Sequence, residues 1–507
     1  MAAKRKRTPS SCSVEPALDW GNRVVGVDSC DIRPAARSLR APTSLASGPI
    51  RTFIISSLLF GSLIIAAAPP LRGPDETAHF LRAYGVAAGD VVPSIHDVHG
   101  RKGIFLPPRL YAGFNYFEGV RIEEKNAGWA GYGPVFRAYF GRVPAASEVG
   151  AQPTFVPYAG SEGYSPVAYL PQVAAAITAR ALDLEFLTTF YLMRFAGLAV
   201  TTIVIAFAIS LVPQLAWALV AIAMLPAAIY GRSVINADAS ALATALVATA
   251  LWLRGILFPL LLLRARLSLW LTLTALTKPT NLVFVLLGLR TPLDLSARSW
   301  LLIILTIMPA IVASLLWSLH SGAEVAAWRM VEITGQHATA FDPAVKLSYL
   351  LDHPLHFPAA VLETLHAKDL GELWRQVIGV LGLFDTVLQP WVYPAVSALL
   401  LGSFFTPLPI TPAMGRQVAV LAGATILAYV AAIYFVCYLL FTPLEADTVW
   451  GVQGRYFIPI LSLVAVVIAA LVNRGIDERL TTAVAISAAV LSGCASLEAI
   501  ARADWNL

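Results

Sequence analysis

Charged side chains are scarce in this chain of 507 residues. Only 13% of the residues are Asp, Glu, Lys or Arg, whereas 57% are hydrophobic and the mean hydropathy is +0.70. Ordinary soluble domains carry about 25% charged residues, so this composition excludes that class. The net charge of +5 is too small to indicate a nucleic-acid partner. We therefore predict an all-α, polytopic transmembrane protein that contacts membrane lipids and no nucleic acid.

Cysteines and cofactor motifs are also few. The four cysteines, Cys12, Cys30, Cys437 and Cys494, have no spacing typical of a metal site or a disulfide framework. The chain has no phosphate-binding glycine loop, no dinucleotide glycine motif and no zinc signature. The sequence therefore identifies no cofactor with certainty. A divalent cation, Mg²⁺ or Mn²⁺, stays open because carboxylates can hold one.

Apolar runs divide the chain into a tail and a membrane domain. Residues 1–50 are polar, and we predict a disordered cytoplasmic tail. A start codon assigned too far upstream would instead leave this tail outside the working protein. Residues 51–475 form the predicted membrane domain, which begins with a spanning helix from Thr52 to about Ala68. Residues 476–507 form a last membrane helix and a short tail.

The membrane domain is predicted to have about ten to twelve membrane segments and two large extracytoplasmic loops, 71–163 and 320–387. Residues 164–182 and 267–289 are weak segments. If the first lies on the surface and the second is a hairpin broken at Lys278, the basic residues at segment ends share the cytoplasmic side. The turn 231–238, the loop 441–455 and the loop 320–387 then lie on the side of Asp75. The arginines counted are Arg254, Arg264, Arg266, Arg290, Arg298, Arg416, Arg474 and Arg479.

Two adjacent carboxylates follow the first membrane helix. A helix that begins at Pro74 would place Asp75, His79 and Arg82 on one face, with Glu76 beside them. A helix N-terminus favours ionised carboxylates, which can accept a proton or bind a divalent cation. The alternative is a helix-capping acid that forms a salt bridge with Arg82.

Polar residues also interrupt the later apolar segments. Arg232, Asn236 and Asp238 occupy a short turn, where Arg232 and Asp238 either pair with each other or face the same cavity as Asp75. Lys278 precedes Pro279 at the break in the hairpin, where it either meets an anion or extends to the membrane surface.

A last polar cluster precedes a membrane helix near the C-terminus. It contains Gln453, Arg455 and Tyr456 between glycines that allow close backbone approach. The guanidinium of Arg455 offers a planar set of donors suited to phosphate.

Together these motifs resemble a family of predicted bacterial membrane proteins, DUF2142, over roughly residues 52–475. The resemblance is carried by the following residues: Pro74, Asp75, Glu76, His79 and Arg82; Tyr164, Ser165, Pro166, Tyr169, Leu170, Pro171 and Gln172; Asn236, Ala237 and Asp238; Lys278 and Pro279; and Gly451 to Phe457. That family is similar in plan to the GT-C-type glycosyltransferases. The resemblance implies an enzyme of the bacterial inner (cytoplasmic) membrane with an extracytoplasmic active face. It also implies that an acidic pair at the start of the first external loop holds the catalytic base.

The hypothesis is therefore a transferase that moves a sugar from a polyprenyl-phosphate donor to a cell-envelope glycan or glycolipid acceptor. Asp75 would be the general base, and Glu76 would position it or help to hold a metal. Arg455, Lys278 and Arg232 would neutralise the departing lipid phosphate, while His79 and Arg82 would orient the acid pair or the sugar. The alternatives are a lipid-linked oligosaccharide transporter or polymerase, and a non-catalytic membrane scaffold.

Overall fold

A computed structural model describes residues 47–126, 152–258, 261–289, 296–321, 330–331, 334–475, 477–505 and 507. Most of the predicted N-terminal tail, parts of both predicted external loops and Arg290 lie outside these residues.

The described residues form helices joined by short connections. The α-helices are α1 Gly48–Ala67, α2 Glu76–Ala87, α3 Pro108–Asn126, α4 Leu170–Ala181, α5 Phe186–Leu211, α6 Ala216–Ala223, α7 Pro226–Ser233, α8 Asp238–Leu257, α9 Leu261–Thr277, α10 Ala297–Ser321, α11 Pro343–Asp352, α12 His356–Ala367, α13 Leu370–Gly379, α14 Val392–Gly402, α15 Pro412–Phe441, α16 Leu461–Val472 and α17 Glu478–Asp504. The 3₁₀ helices are Pro166–Tyr169, Pro213–Leu215, Pro279–Gly288, Ala338–Phe341 and Gly454–Ile460. Strands β1 Gly103–Leu106 and β2 Thr154–Pro157 pair antiparallel, as do β3 Val380–Leu381 and β4 Thr386–Val387.

Seven helical segments among the described residues are long and apolar enough to cross a membrane. They are α1, α5, α8, α10, α15, α17 and the segment Gly454–Val472. An eighth is present if the pair Pro213–Ala223 and Pro226–Ser233, bent by 73°, counts as one broken span. The all-α, polytopic membrane fold is thus confirmed. The number of spans among the described residues is smaller than the ten to twelve membrane segments predicted; Pro279–Gly288 and α14 are apolar helices too short to be counted among the spans.

Neither weak segment forms a single spanning helix. Helix α4 has 12 residues and is about 18 Å long, which is too short to cross a hydrocarbon core of about 30 Å. Helix α9 ends at Thr277 because Pro279 cannot continue its hydrogen bonding. The chain then turns back, since Ser268 contacts Leu305 and Gly288 packs against Ile307, so both arms lie beside the middle of α10.

Contacts between helix ends define two opposite ends of the bundle. At the Arg254 end, Arg254 donates to the carbonyl of Leu211 at 2.7 Å, and the amide of Leu408 donates to Asn473 at 2.8 Å. The other end, which we call the Asp75 end, contains the opposite termini of the same helices. There the indole of Trp505 donates to the carbonyl of Ala67 at 2.6 Å. This separation agrees with the arrangement predicted from the arginines.

A separate aromatic core fixes the segment after α1. Phe80 of α2 contacts Phe186 and Phe190 of α5, with ring centroids 5.4 and 5.7 Å apart, and Phe114 of α3. All four rings are buried. Burial of an aromatic side chain stabilises packing by a few kcal/mol, so α2 is held rigidly at the Asp75 end of the bundle.

Candidate functional site

Asp75 lies just outside the helix that was predicted to include it. Helix α2 begins at Glu76, and Asp75 has a left-handed backbone with φ of 53°. This turn directs its carboxylate away from the helix, and the side chain is 44% exposed. The prediction that Asp75, His79 and Arg82 share one helical face is therefore wrong, because Asp75 does not follow the helical period.

Arg455 connects two carboxylates that come from distant parts of the chain. Its Nη2 lies 3.0 Å from Oδ2 of Asp75, and its Nη1 lies 3.4 Å from Oδ2 of Asp238. Gln453 accepts a hydrogen bond from Nε of Arg455 at 2.9 Å, which fixes the plane of the guanidinium. The rings of Tyr456 and Phe384 lie 5.3 and 4.9 Å from the guanidinium carbon.

Lys278 completes this group of charges at the break between α9 and the following 3₁₀ helix. Its amino group contacts Oδ1 of Asp238 and lies 4.6 Å from the ring centroid of Tyr456. Two carboxylates and two cations thus alternate at the Asp75 end of the bundle. Such a group can bind an anion through Arg455 and Lys278, and Asp75 can accept a proton.

His79 borders this site without being a charged member of it. Its ring is 5% exposed, and Nδ1 lies 2.6 Å from the hydroxyl of Tyr169. Burial lowers the pKa of His79 to about 4, although the nearby Asp75 and Asp238 oppose the shift. The imidazole is therefore neutral near pH 7. It can position Tyr169 and Tyr164, whose ring centroid lies 5.3 Å from that of His79 in an edge arrangement, but it adds no positive charge.

Glu76 is fully buried, in contrast to its neighbour Asp75. Arg194 donates to both of its carboxylate oxygens, at 2.8 and 2.7 Å. The amides of Ile235 and Gly73 donate at 2.8 and 2.9 Å. These four donors occupy both oxygens, so this geometry leaves Glu76 to position Asp75 and not to hold a metal.

The described residues contain no group of three His, Cys, Asp or Glu side chains that could hold a metal ion. The carboxylates of Asp75 and Asp238 face arginine and lysine instead. A divalent cation therefore has no ligand set in the part of the chain that the structure describes.

Two other predicted site residues, Arg82 and Asn236, bind backbone groups instead. Arg82 donates to the carbonyls of Asp90 and Val91 at 2.9 and 2.7 Å, and therefore anchors the start of the loop after α2. It forms no salt bridge with the acidic pair, so that alternative is wrong. Asn236, one residue before the N-cap, accepts the amide of Ala239 at 3.0 Å and so satisfies one of the free amides in the first turn of α8.

Arg232 lies inside the bundle. It donates to Ser57 at 2.7 Å and to the carbonyl of Ala223 at 3.0 Å, and it is fully buried. Both predicted alternatives for Arg232 are wrong, since it neither pairs with Asp238 nor faces the site.

Sequence reasoning missed several residues that support the site. Arg194, the partner of Glu76, is the single charged residue in the apolar run 187–211, and that isolation was a usable signal. Arg72 lies 2.7 Å from Asp385 and 2.9 Å from Asp504. No local pattern indicates that these three positions meet.

An apolar groove lies along the spanning segment that carries Arg455. It has a volume of about 730 Å³ and lies between α12, α13, α15 and the segment Gly454–Val472. Phe457, two positions after Arg455, lines the groove together with Leu362, Leu373, Leu427 and Val430. The groove therefore follows the spanning segment Gly454–Val472, which also carries Arg455, but Arg455 is not one of its lining residues.

The chain was compared with protein families, curated proteins and solved structures. The model of a family described as "Predicted membrane protein (DUF2142)" matches residues 58–464, which is most of the chain. No curated protein and no solved structure matches the chain.

Proposed function

We propose, from the premise that the chain belongs to the DUF2142 family of predicted membrane proteins, that it is a membrane glycosyltransferase. It would take a sugar from a polyprenyl-phosphate donor and transfer it to a cell-envelope glycan or glycolipid on the extracytoplasmic face of the bacterial inner membrane. The observation that carries this proposal is the half-exposed Asp75 beside Arg455 and Lys278. A base and a phosphate-binding pair are the groups that such a transfer needs.

The donor phosphate would bind Arg455 and Lys278. The Nη1 atom of Arg455 is buried and lies 3.4 Å from Asp238 without a hydrogen bond of good geometry, so a phosphate oxygen would provide a better acceptor. Gln453 and Tyr456 hold the two cations in place. A phosphate bound to the guanidinium of Arg455 would replace its salt bridge with Asp75. Donor binding would therefore free this carboxylate to act as a base.

In the transfer, Asp75 accepts the proton of the acceptor hydroxyl while the oxygen of that hydroxyl forms a bond to the anomeric carbon of the sugar. The bond from that carbon to the phosphate oxygen breaks, and its electron pair leaves on the lipid phosphate. Attack opposite the leaving group inverts the anomeric configuration. General-base assistance of this kind contributes typically about 10²–10⁴-fold to the rate.

The apolar groove supports a lipid-linked donor in preference to a soluble one. It is lined by side chains such as Leu427 and Val430 of the spanning helix α15, and by Phe457. A hydrocarbon chain in this groove would lie against the segment Gly454–Val472, which also carries Arg455. Because lipid tails are as apolar as leucine, the groove would guide the lipid chain, and the donor affinity would come mainly from the phosphate contacts.

The test replaces Asp75 by Asn in a strain that lacks the gene, followed by analysis of lipid-linked and envelope glycans. Asp75→Asn should insert into the membrane normally and lose the product made by the wild type. Asp183→Asn is the matched control, because Asp183 also has positive φ and pairs with an arginine, Arg109, at 2.7 Å, outside the site. Wild-type glycan from Asp75→Asn would refute the catalytic role.

The same strain separates this proposal from its alternatives. A transporter or polymerase defect should leave the glycosylated lipid donor and the sugar–acceptor bond intact and change glycan location or length. A transporter also places polar groups through the membrane midplane, whereas Asp75, Asp238, Lys278 and Arg455 lie together at one end of the bundle.

A further inference from the structure

The turn between β3 and β4 is built around two left-handed residues. Gly382 has φ of 61° and Phe384 has φ of 67°. A bulky residue such as phenylalanine rarely adopts this conformation, which persists where the surroundings enforce it. Here the carboxylate of Asp385 accepts the amide of Leu383 at 3.0 Å and closes the turn. The conformation directs the ring of Phe384 toward the site.

The hairpin contacts the site on one side and is anchored on the other. The ring of Phe384 lies 4.9 Å from the guanidinium carbon of Arg455. The next residue, Asp385, contacts Nη1 of Arg72 at 2.7 Å, and Arg72 also holds Asp504 at 2.9 Å. Arg72 belongs to the segment that leads directly into Asp75. The hairpin is therefore tied to both chain segments that form the Arg455–Asp75 pair.

We propose that the hairpin Val380–Val387 is a latched cover over Arg455. Phe384 covers one face of the Arg455 guanidinium. The anion therefore binds at the N–H edge of this group. The salt bridge between Asp385 and Arg72 keeps the cover closed. The side chain of Arg455 is only 10% exposed, so movement of the hairpin would uncover the guanidinium for a phosphate. The identity of the anion as a lipid phosphate rests on the proposed function, whereas the cover itself does not.

The test measures modification of arginines by phenylglyoxal, read by mass spectrometry on the full chain in detergent. Phe384→Gly removes the ring and retains the turn, because glycine adopts positive φ without strain. Asp385→Asn weakens the salt bridge with Arg72. We expect Arg455 to react about two- to fivefold faster in both variants. This factor corresponds to the interaction energy of one partly exposed cation–π contact, which both variants lose or weaken. Phe384→Tyr keeps an aromatic face and should react at the wild-type rate.

Two arginines serve as internal references. Arg375, whose side chain is 46% exposed, should react equally in every variant, and the fully buried Arg194 should stay unmodified unless the protein unfolds. An unchanged Arg455 rate in Phe384→Gly overturns the cover. If Asp385→Asn unfolds, reaction of Arg194 reveals it, and Phe384→Gly alone decides the question.

The proposed function is tested separately in the same samples by adding farnesyl phosphate as a probe. Protection of Arg455 in the wild type supports a lipid-phosphate site. Absence of protection counts against the proposed donor and leaves the comparison of labelling rates, and hence the cover, unaffected.

Discussion

Asp75 and Glu76 show how two adjacent carboxylates acquire different roles from their surroundings. The left-handed turn at Asp75 places it at the surface beside Arg455, whereas Glu76 starts the helix and points into the bundle. A buried carboxylate is stable only if it is paired and fully hydrogen-bonded. Glu76 meets this requirement through Arg194 and two backbone amides, so it holds the turn that presents Asp75.

This difference predicts a large stability effect for Glu76→Gln. The substitution leaves Arg194 buried without its carboxylate and should lower the free energy of unfolding by about 3–5 kcal/mol. Glu498→Gln removes an exposed pair with Arg502, 43% and 42% exposed, and should cost at most about 1 kcal/mol. Titration with SDS in mixed micelles measures both values. Equal stabilities of the two variants would contradict a structural role for Glu76.

For single residues, the sequence identifies which charged residues form the site better than it identifies the direction of their side chains. Asp238, Lys278 and Arg455 are isolated charges at membrane segment ends, and the structure brings them together with Asp75. The spacing of Arg82 and Arg232 carries no information on which side of a segment they face. Their partners are backbone carbonyls and hydroxyls, which leave no recognisable pattern.

Among the elements, the 3₁₀ helix Gly454–Ile460 determines where Arg455 lies. The amide of Gly454 donates to Gln376 of α13 at 2.8 Å. A Cβ atom at position 454 would overlap the carbonyl of Leu373 and lie 2.6 Å from Cβ of Gln376. Sequence reasoning predicted close backbone approach at these glycines, but it could not identify α13 as the neighbour, because the contact joins distant parts of the chain.

Gly454→Ala should therefore separate α13 from the segment that carries Arg455. Overpacking of this kind costs about 1–3 kcal/mol in unfolding free energy, and the shifted guanidinium should bind farnesyl phosphate more weakly. Gly423→Ala is the control, since no heavy atom lies within 4 Å of its added Cβ in α15. This control should gain up to about 1 kcal/mol from helix propensity. A stable Gly454→Ala variant with unchanged binding would refute the close packing.

For the whole molecule, charge distribution predicted the arrangement that the helices adopt. Arginines such as Arg254 and Arg474 lie at one end, and the cluster around Asp75 lies at the other. A strong rule on charge near membrane segments made this prediction possible without any knowledge of helix packing. The aromatic core around Phe80 and the broken pair α6–α7 were not predictable, because both depend on contacts between distant segments.

The same charges predict the orientation of the molecule in the membrane. Basic segment ends stay in the cytoplasm, so Val98→Cys, at a position 95% exposed in the first loop, should react with a membrane-impermeant maleimide in intact cells. Arg474→Cys should react only after permeabilisation. The native cysteines are first replaced by Ala, since Cys494 is exposed. Asp75→Cys should label like Val98→Cys, because both lie on the segment after α1. Labelling of Arg474→Cys alone in intact cells would reverse the orientation and place the proposed site in the cytoplasm.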